Sequence, residues 1–371
     1  MHECVALFFL ERMIHLNHTH ISTYLQHLFL KYKVFFLLSI FLFPALVQAE
    51  ESSLNFHVVP ELPASQVDST NSYFDLNLAP GSKEKLSLKL HNGSEETIRV
   101  RITPHTAYTN VHGFVEYGKK AEEPDPTLLY SLDELIESPD VVELSGNETK
   151  TVNLSLQMPD ASFDGFLAGG LRISEVKEET EETVSEQEGV AVKNEFAYVI
   201  GVVVSNTRDS VEPDLELLDV FPNQLNFRNV ISATIQNVTP TFVNRLAIKA
   251  SVQREGETEI LYEASDEQMQ MAPNSHFHFP IPLGGDRFEA GNYLLKLTAT
   301  SKGETWSWEQ KFTIDSEKAR SYNRTDVTID ASTNWWMIGS LVLFFALLGM
   351  IVYELYKKKL KRKSGGVRSD E

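Results

Sequence analysis

One stretch near the carboxyl end limits what this chain can be more than any other feature. From Trp335 to Tyr353 the sequence runs for 19 residues without a charge. A helix of that length covers about 28 Å, close to the hydrocarbon thickness of a bilayer. Trp335 and Trp336 stand at one end of this stretch, and Tyr353 and Tyr356 stand at the other. Such amphipathic rings favour the headgroup level of a bilayer. The sequence therefore predicts a transmembrane helix over 335–356.

A basic cluster follows the apolar stretch at once and begins with Lys357, Lys358 and Lys359. Lysine and arginine beside a membrane helix stay in the cytoplasm and attract anionic lipid. A buried helix of a globular core would not need such a cluster. We therefore expect residues 357–371 to form a short cytoplasmic tail and nearly everything before Trp335 to lie outside the cell.

The amino end carries the pattern of a secretory signal peptide. Two lysines precede Val34–Val47, an apolar run that is short for a membrane helix. Val47 and Ala49 then offer a small-x-small cleavage site. We expect residues 1–49 to be a leader that is removed after Ala49. The chain's single cysteine, Cys4, lies in this leader, so the exported part must be stabilised by core burial without disulfides. A disulfide-free surface protein with one membrane anchor favours a Gram-positive source.

The exported part is strongly acidic. Of 52 acidic and 33 basic residues, 2 and 3 lie in the leader and 3 and 7 lie in 335–371. Subtraction leaves 47 acids and 23 bases in residues 50–334, a net charge of −24. Nucleic-acid binding needs basic patches, so we exclude it. The charge suits solubility in a polyanionic cell wall but identifies no partner.

Residues 50–207 alternate in a way that predicts half-buried β-strands. Apolar residues recur at every second position in several runs, separated by turn residues. These runs are Phe74–Leu78, Leu86–Leu90, Ile98–Ile102 and Val152–Met158. We also expect a short helix at 131–136 and a flexible acidic loop at 175–189. A calcium site there would need fixed ligand spacing and a turn glycine, and neither appears in 175–188.

Residues 196–204 are apolar on both faces, which indicates a strand covered on both sides. We expect this strand to close the first domain by pairing with 166–174 across the acidic loop. Gly169 and Gly170 interrupt the second of these strands, where glycine often marks a close backbone approach or a bulge.

Residues 208–315 predict a second domain of seven short strands, typical of an immunoglobulin or fibronectin-type sandwich. In the last strand Trp306 and Trp308 share a face with Phe312 and Ile314, which favours a core role over a ligand platform. His276 and His278 also share a face, but two histidines make a weak metal signal. The polar segment 316–334 reads as a short stalk to the membrane, which reaches at most about 60 Å when fully extended.

No catalytic motif was found, including nucleophile elbow, zinc-protease, phosphate-loop and dinucleotide patterns. We therefore expect no enzyme activity, no cofactor and no metal. The sequence reads as a binding or scaffolding protein. Two runs, 162–170 and 269–275, are the candidate partner-binding surfaces because their polar groups look exposed. The alternative is that they consist of turn and packing residues. The candidate residues are Ser162, Phe163, Asp164, Gly165, Gly169, Gly170, Met269, Met271 and Asn274.

Several local runs resemble the WxL-interacting proteins of Gram-positive bacteria, over about residues 50–363. The order of signal peptide, two domains, membrane helix and basic tail is also that of the family. The runs are Val59–Pro63, Tyr73–Leu76, Met158–Pro159, Ser162–Gly165, Gly169–Arg172, Lys193–Gly201, Asn229–Val230, Gln236–Asn237, Met269–Ser275 and Trp335–Trp336.

The resemblance implies a surface protein that holds WxL-domain proteins at the cell wall. It assigns the first domain to peptidoglycan and the second to host matrix or partner proteins. The family's domain boundary falls near the acidic loop, whereas strand pairing places 196–204 in the first domain. The leading hypothesis is therefore a membrane-anchored, non-enzymatic adaptor built from two β-sandwiches. The second is a tethered assembly chaperone for secreted surface proteins that acts by β-strand addition.

Overall fold

Two β-sandwiches form most of the protein in a computed structural model that describes residues 55–176, 195–329 and 335–364. The expected leader with Val47 and Ala49 lies outside the described residues, as does nearly all of the acidic loop expected at 175–189. The expected all-β fold of two immunoglobulin-like sandwiches followed by one apolar helix is confirmed.

The first sandwich contains eleven of the described strands and one short helix. They are β1 (Phe56–Glu61), β2 (Phe74–Asn77), β3 (Lys83–Asn92), β4 (Ile98–Thr106), β5 (Tyr108–Thr109), β6 (Val115–Glu116), α1 (Leu132–Leu135), β7 (Ile136–Glu137), β8 (Val141–Leu144), β9 (Thr149–Gln157), β10 (Leu167–Glu175) and β11 (Ala197–Ser205). One sheet has the order β1-β3-β9-β7 and the other β2-β11-β10-β4-β8, while β5 and β6 form a separate hairpin.

The alternating apolar residues of these strands meet in one core between the two sheets. Leu86, Leu88 and Leu90 of β3 are fully buried there, as are Phe74 and Leu76 of β2. Because side chains of a strand alternate between its faces, the period of two read from the sequence places these residues on the inner faces.

The pairing of 196–204 with 166–174, which was expected across the acidic loop, is confirmed. Strand β11 is antiparallel to β10, with Leu167 opposite Val204, and parallel to β2 on its other side. Its two apolar faces have different partners. Val202 and Val204 face the core of the first sandwich, whereas Val203 belongs to a small apolar cluster shared with the second domain.

The second sandwich uses the seven segments that the sequence predicts, most of them longer than expected. They are β12 (Leu215–Leu225), β13 (Arg228–Asn237), β14 (Val243–Arg254), β15 (Ile260–Met271), β16 (Ser275–Pro282), β17 (Gly291–Ser301) and β18 (Glu304–Ile314). The sheets have the orders β12-β13-β16 and β15-β14-β17-β18, and every pair is antiparallel. Trp306 and Trp308 are partly buried against the core, as expected.

The expectation of a stalk over 316–334 is wrong for its first part. Residues Ser316–Thr325 form helix α2, and Ala319 and Tyr322 pack on the core of the second sandwich. The Asp315 carboxylate caps the helix by accepting hydrogen bonds from two backbone N–H groups of the first turn. The polar composition concealed an amphipathic pattern, because two apolar residues three positions apart suffice for one contact face.

Helix α3 (Trp335–Ser364) follows, and within it Trp336–Lys357 is long and apolar enough to cross a membrane. Trp336, Tyr353, Tyr356 and Lys357 are exposed, and Lys357 Nζ lies 6.0 Å above the Tyr353 ring. The side chains of Trp335, Lys358 and Lys359 are outside the described part. Only residues 330–334 separate the second domain from this helix, so the connection spans at most about 20 Å.

Candidate functional site

The first predicted binding run lies mostly inside the protein. Ser162 and Asp164 are exposed, but Phe163 is buried. Gly165 has a φ of +70°, and a Cβ built there would lie 2.1 Å from the carbonyl oxygen of Pro240 in the second domain. Glycine is required at this position by both the backbone conformation and the space.

Gly169 and Gly170 are also buried, within β10. A Cβ on Gly169 would lie 2.2 Å from the carbonyl oxygen of His105, and one on Gly170 would lie 2.7 Å from that of Tyr117. These glycines allow a close approach of neighbouring backbone, as the sequence suggested.

The second predicted run is buried as well. Met269 and Met271 are fully enclosed. The Met269 side chain lies against Gly113, where a Cβ would be 2.6 Å from its sulfur. The backbone N–H of Gln270 donates to the carbonyl of Gly113 at 2.7 Å, so the β5–β6 hairpin of the first domain lies along β15. The expectation that these runs are exposed is therefore wrong except at Ser162 and Asp164, and the burial fits the packing alternative.

Side-chain hydrogen bonds link the same run to the first domain. Asn274 donates to the hydroxyl of Thr127 at 3.1 Å. The Thr109 hydroxyl lies 2.6 Å from that of Ser275 and accepts the backbone N–H of Ala272 at 3.0 Å. The two predicted runs thus meet at one place, the contact between the sandwiches, which we call the interdomain joint.

The joint also has an apolar part. It is a cluster of small buried residues surrounded by four larger, partly buried ones. The small residues are Ala107, Ala168, Val203 and Ala272, and the larger ones are Val115, Tyr117, Phe166 and Phe242. Burial of these side chains is favourable in proportion to the apolar area removed from water.

Asp125 is the polar centre of the joint and is only 7% exposed. Its carboxylate accepts two hydrogen bonds from the Gln236 amide, at 2.8 and 3.0 Å, and one from His276 Nδ1 at 2.7 Å. The backbone N–H and the hydroxyl of Thr127 donate to it at 2.9 and 2.6 Å. A buried carboxylate must be paired in this way, because an unpaired buried charge is costly.

The surroundings shift the pKa values of these groups in opposite directions. Burial alone would raise the pKa of Asp125, but the hydrogen bonds from His276, Thr127 and Gln236 lower it overall. The hydrogen bond to Asp125 raises the pKa of His276 despite its partial burial. Burial lowers the pKa of neighbouring His278, and His276 adds to that effect. The joint therefore favours an ionised Asp125 beside a protonated His276.

A cleft of about 640 Å³ opens beside Asp125, between the loop 120–125 and β16. Glu122, Glu123 and Glu134 line it from the first domain, and His278 lines it from the second. Its volume is typical of small-ligand sites, but those are mostly apolar. The acidic lining is chemically suited to polar, positively charged groups.

Neither a grouped set of metal ligands nor a hydroxyl hydrogen-bonded to His276 is found among the described residues. No three His, Cys, Asp or Glu side chains in this part of the chain are grouped to hold a metal ion. In the same residues His276 makes no hydrogen bond to a serine or threonine hydroxyl, so it lacks the nucleophile of a triad. The Asp125–His276 pair links the two domains through a contact of 2.7 Å.

Sequence reasoning missed the roles of Asp125, Gln236 and His276. Asp125 lies between Pro124 and Pro126, and nothing in that local pattern distinguishes a buried carboxylate from a solvated one. His276 was noted only as a weak metal candidate. Gln236 gave the one available signal of a buried polar contact. It is a polar residue directly after the mostly apolar run Val230–Ile235, and a buried polar side chain needs a hydrogen-bond partner.

Comparisons with known proteins agree with this architecture. Residues 56–175 match the family model described as WxL Interacting Protein, peptidoglycan binding domain. Residues 187–324 match the model described as WxL Interacting Protein, host binding domain. The second match begins before β11, although β11 completes a sheet of the first sandwich. No curated protein matches the chain.

Similar solved structures include several pilus chaperones. The YadV chaperone is 11% identical, with 70% of this chain and 100% of that chain covered and a TM-score of 0.27. The CupB2 chaperone of Pseudomonas aeruginosa is 14% identical, with 63% and 95% covered and a TM-score of 0.27. At such scores the likeness carries no functional conclusion.

The two family models together cover residues 56–324 apart from the short segment between them, and they match in the order expected from the sequence. Both describe binding domains, not enzymes. The chain belongs to the WxL-interacting protein family.

Proposed function

We propose that this protein is a membrane-anchored adaptor that holds WxL-domain surface proteins at the peptidoglycan of the cell wall. The observation that carries the proposal is the presence, in one chain, of a peptidoglycan-binding domain, a host-binding domain and one apolar helix of 22 residues. The first domain binds wall glycan or a WxL-domain protein. The second binds another protein, for which the family name suggests a host matrix protein.

The anchor is oriented by charge. Lysines and arginines follow Tyr356 directly, and basic residues remain on the cytoplasmic side of a membrane helix. Trp336 then lies at the outer interface and Tyr353 and Tyr356 at the inner one. The leader, cleaved after Ala49, delivers the acidic part to the outside. In this orientation residues 56–329 lie outside the cell.

The interdomain joint gives the adaptor a fixed geometry. Asp125 is buried between the domains, and the apolar cluster around Ala168 adds to the contact. Because the two domains are held rigidly together, a first domain bound to the wall fixes the position of any protein bound to the second domain. Of the residues predicted to bind partners, Ser162 and Asp164 are exposed and are the ones we retain as candidates.

The adaptor is tested on intact cells and on purified wall. We expect chemical crosslinking of intact cells to recover a WxL-domain protein with the full-length chain. We expect purified peptidoglycan to sediment the detergent-solubilised chain. A matched variant, Ser162→Arg with Asp164→Arg, should weaken one of these two interactions if that surface is used. Absence of any WxL-domain protein together with no retention on peptidoglycan would defeat the proposal.

A tethered assembly chaperone is the second candidate, because two long edge strands of the described sheets, β15 and β18, contain no proline. Long edges at β1, β12 and β16 contain proline (Pro60, Pro222, Pro280), which protects an edge from pairing. Strand β15 has no proline, and Ile260 and Leu261 at its start are exposed. Such an edge can accept a strand from a partner.

Deletion of the gene separates the two candidates. A chaperone predicts that the partner is no longer secreted intact. An adaptor predicts that the partner is secreted normally but is released from the cell surface.

A further inference from the structure

The turn between β12 and β13 has an unusual residue for its conformation. Leu225 pairs with Arg228, so the hairpin loop is the two residues Asn226 and Phe227, with φ of 50° and 58°. Two-residue loops with positive φ at both positions favour Asn-Gly, because glycine has no Cβ to clash. This chain keeps the asparagine but replaces glycine with a bulky aromatic residue, and the Phe227 side chain is 67% exposed. A strained and exposed aromatic residue indicates a role outside the fold.

A second exposed apolar residue lies beside it. The backbone N–H of Val327 donates to the carbonyl of Phe227 at 3.0 Å, and the Val327 side chain is 69% exposed. Buried Asp326 fixes this segment by accepting the N–H of Asn229 and that of Thr328, each at 2.7 Å. The segment 326–329 is therefore attached to the hairpin and presents Val327 next to Phe227.

The turn Asn226–Phe227 and the segment 326–329, which together we call the tip, are joined to the start of the membrane helix by a short stretch of chain. Ile329 is the last described residue before α3, and only residues 330–334 lie between them. Fully extended, that connection reaches at most about 20 Å. A stalk over the whole of 316–334 would have allowed the domain to stand far from the bilayer, but helix α2 takes up 10 of those residues.

The charge of the tip differs from the rest of the exported part. The ranges 226–228, 284–287 and 324–329 contain three arginines, Arg228, Arg287 and Arg324, and two aspartates. One of these, Asp326, is buried and fully hydrogen-bonded. Residues 50–334 as a whole carry −24. The loop 284–287 belongs to the tip because a Cβ on Gly285 would lie 3.9 Å from the Thr328 hydroxyl.

We propose that this tip, formed by Phe227, Val327 and the surrounding arginines, docks on the outer leaflet of the membrane that holds α3. An exposed aromatic ring with arginines beside it suits the headgroup level of a bilayer containing anionic phospholipid. The inference rests on the proposed anchorage of α3 and adds that the second domain lies on the bilayer in a defined orientation.

The test places spin labels on the full-length chain in vesicles. Because Cys4 is the single cysteine, a Cys4→Ser background accepts one engineered cysteine at a time. Labels go to Phe227→Cys and Val327→Cys at the tip, and to Leu218→Cys, an exposed control at the other end of β12. Leu343→Cys in α3 reports anchorage. The vesicles contain phosphatidylcholine with phosphatidylglycerol, or phosphatidylcholine alone.

The measurement compares two collision rates of each spin label. One is with oxygen, which dissolves in lipid, and the other is with a nickel chelate, which does not. We expect the oxygen-to-nickel ratio at 227 and 327 to be several-fold above that at 218 with phosphatidylglycerol present, and lower when it is absent or in the Arg228→Glu variant. A lipid-type ratio at 343 with water-type ratios at both tip positions would overturn docking but leave anchorage intact. A water-type ratio at 343 would overturn the anchorage and docking together. Circular dichroism of each labelled chain establishes folding, and the two tip positions check each other.

Discussion

His276 Nδ1 of the second sandwich lies 2.7 Å from a carboxylate oxygen of Asp125 in the first, within the contact that joins the two domains. The same carboxylate accepts the Gln236 amide, so two residues of the second domain depend on one side chain of the first. Neighbouring β-sandwich domains are often joined by a flexible linker, but here a buried, charge-assisted contact fixes their orientation.

Asp125→Ala should destabilise the protein and uncouple its domains. The change leaves the buried Gln236 amide and the partly buried His276 without an acceptor, which costs about 1–3 kcal/mol. We expect calorimetry to show a lower first transition and a separation of the unfolding of the two sandwiches. Asp164→Ala is the matched control, since Asp164 is exposed and its loss should change the free energy of unfolding by less than about 0.5 kcal/mol. Equal effects of the two substitutions would contradict a structural role for Asp125.

The stability that the joint provides should depend on pH. His276 has a folded-state pKa raised above its ordinary 6.5, so its contribution is fully present below 6.5 and is lost as pH rises through the folded pKa. Asp125 has a folded-state pKa lowered below 3.8, so its contribution is present above 3.8 and is lost as pH falls through the folded pKa. The joint is therefore strongest between these limits.

Urea unfolding at several pH values checks this dependence. His276→Gln keeps a donor but cannot titrate, so the stability difference between wild type and variant should shrink as pH rises above 6.5. His278→Gln should show the opposite slope, because the lowered pKa of His278 makes the folded state resist protonation as pH falls below 6.5. A difference for His276→Gln that is constant with pH would count against the ionised pair.

Gly165→Ala should disrupt the joint more than backbone strain alone can explain. The new Cβ would lie 2.1 Å from the Pro240 carbonyl oxygen, at a φ of +70°. Gly256→Ala is the control, because Gly256 has a similar φ of +84° but no atom within 4 Å of the built Cβ. The control should lose roughly 1–2 kcal/mol from the left-handed conformation. We expect Gly165→Ala to lose more and to become sensitive to proteolysis in the linker 206–214; equal losses would show that the domains do not touch there in solution.

Much of the fold followed from the sequence because alternation is local. Leu86, Leu88 and Leu90 show the period of two within five residues, and their burial needs no knowledge of distant partners. The run 196–204 was predicted to be covered on both faces. This holds for its second half, where Val203 meets the second domain, but Phe196 and Val199 are exposed.

The joint did not follow from the sequence because it depends on residues far apart in the chain. Asp125 and His276 are separated by 151 positions, and neither has a local pattern that requires the other. Met269 and Gly165 were predicted to lie on exposed partner-binding surfaces, but both are buried where the two domains pack together. A motif can be constrained by an internal contact as strongly as by a ligand.

The α2 helix was missed because its face is narrow, and this gives a further prediction. Asp315→Ala removes the acceptor for the N–H groups of Glu317 and Lys318 and should cost about 1 kcal/mol in the stability of the second domain. Ser316→Ala, at the next and exposed position, should change stability by less than about 0.5 kcal/mol. Denaturant unfolding of the full-length chain measures both. An extended stalk would make the two substitutions equally silent.

Phe227→Gly should make the protein more stable while it removes the proposed membrane contact. The left-handed conformation costs a residue with a Cβ about 1–2 kcal/mol, and the greater unfolded-state freedom of glycine offsets about 0.5–1 kcal/mol of that. The expected net gain is up to about 1 kcal/mol in the free energy of unfolding, because Asn-Gly is the preferred sequence for this two-residue loop. Phe227→Ala removes the ring but keeps the strained backbone, so it should gain nothing. If Phe227→Gly were less stable than Phe227→Ala, the ring would have to stabilise the fold, and the exposed aromatic residue would need no membrane to explain it.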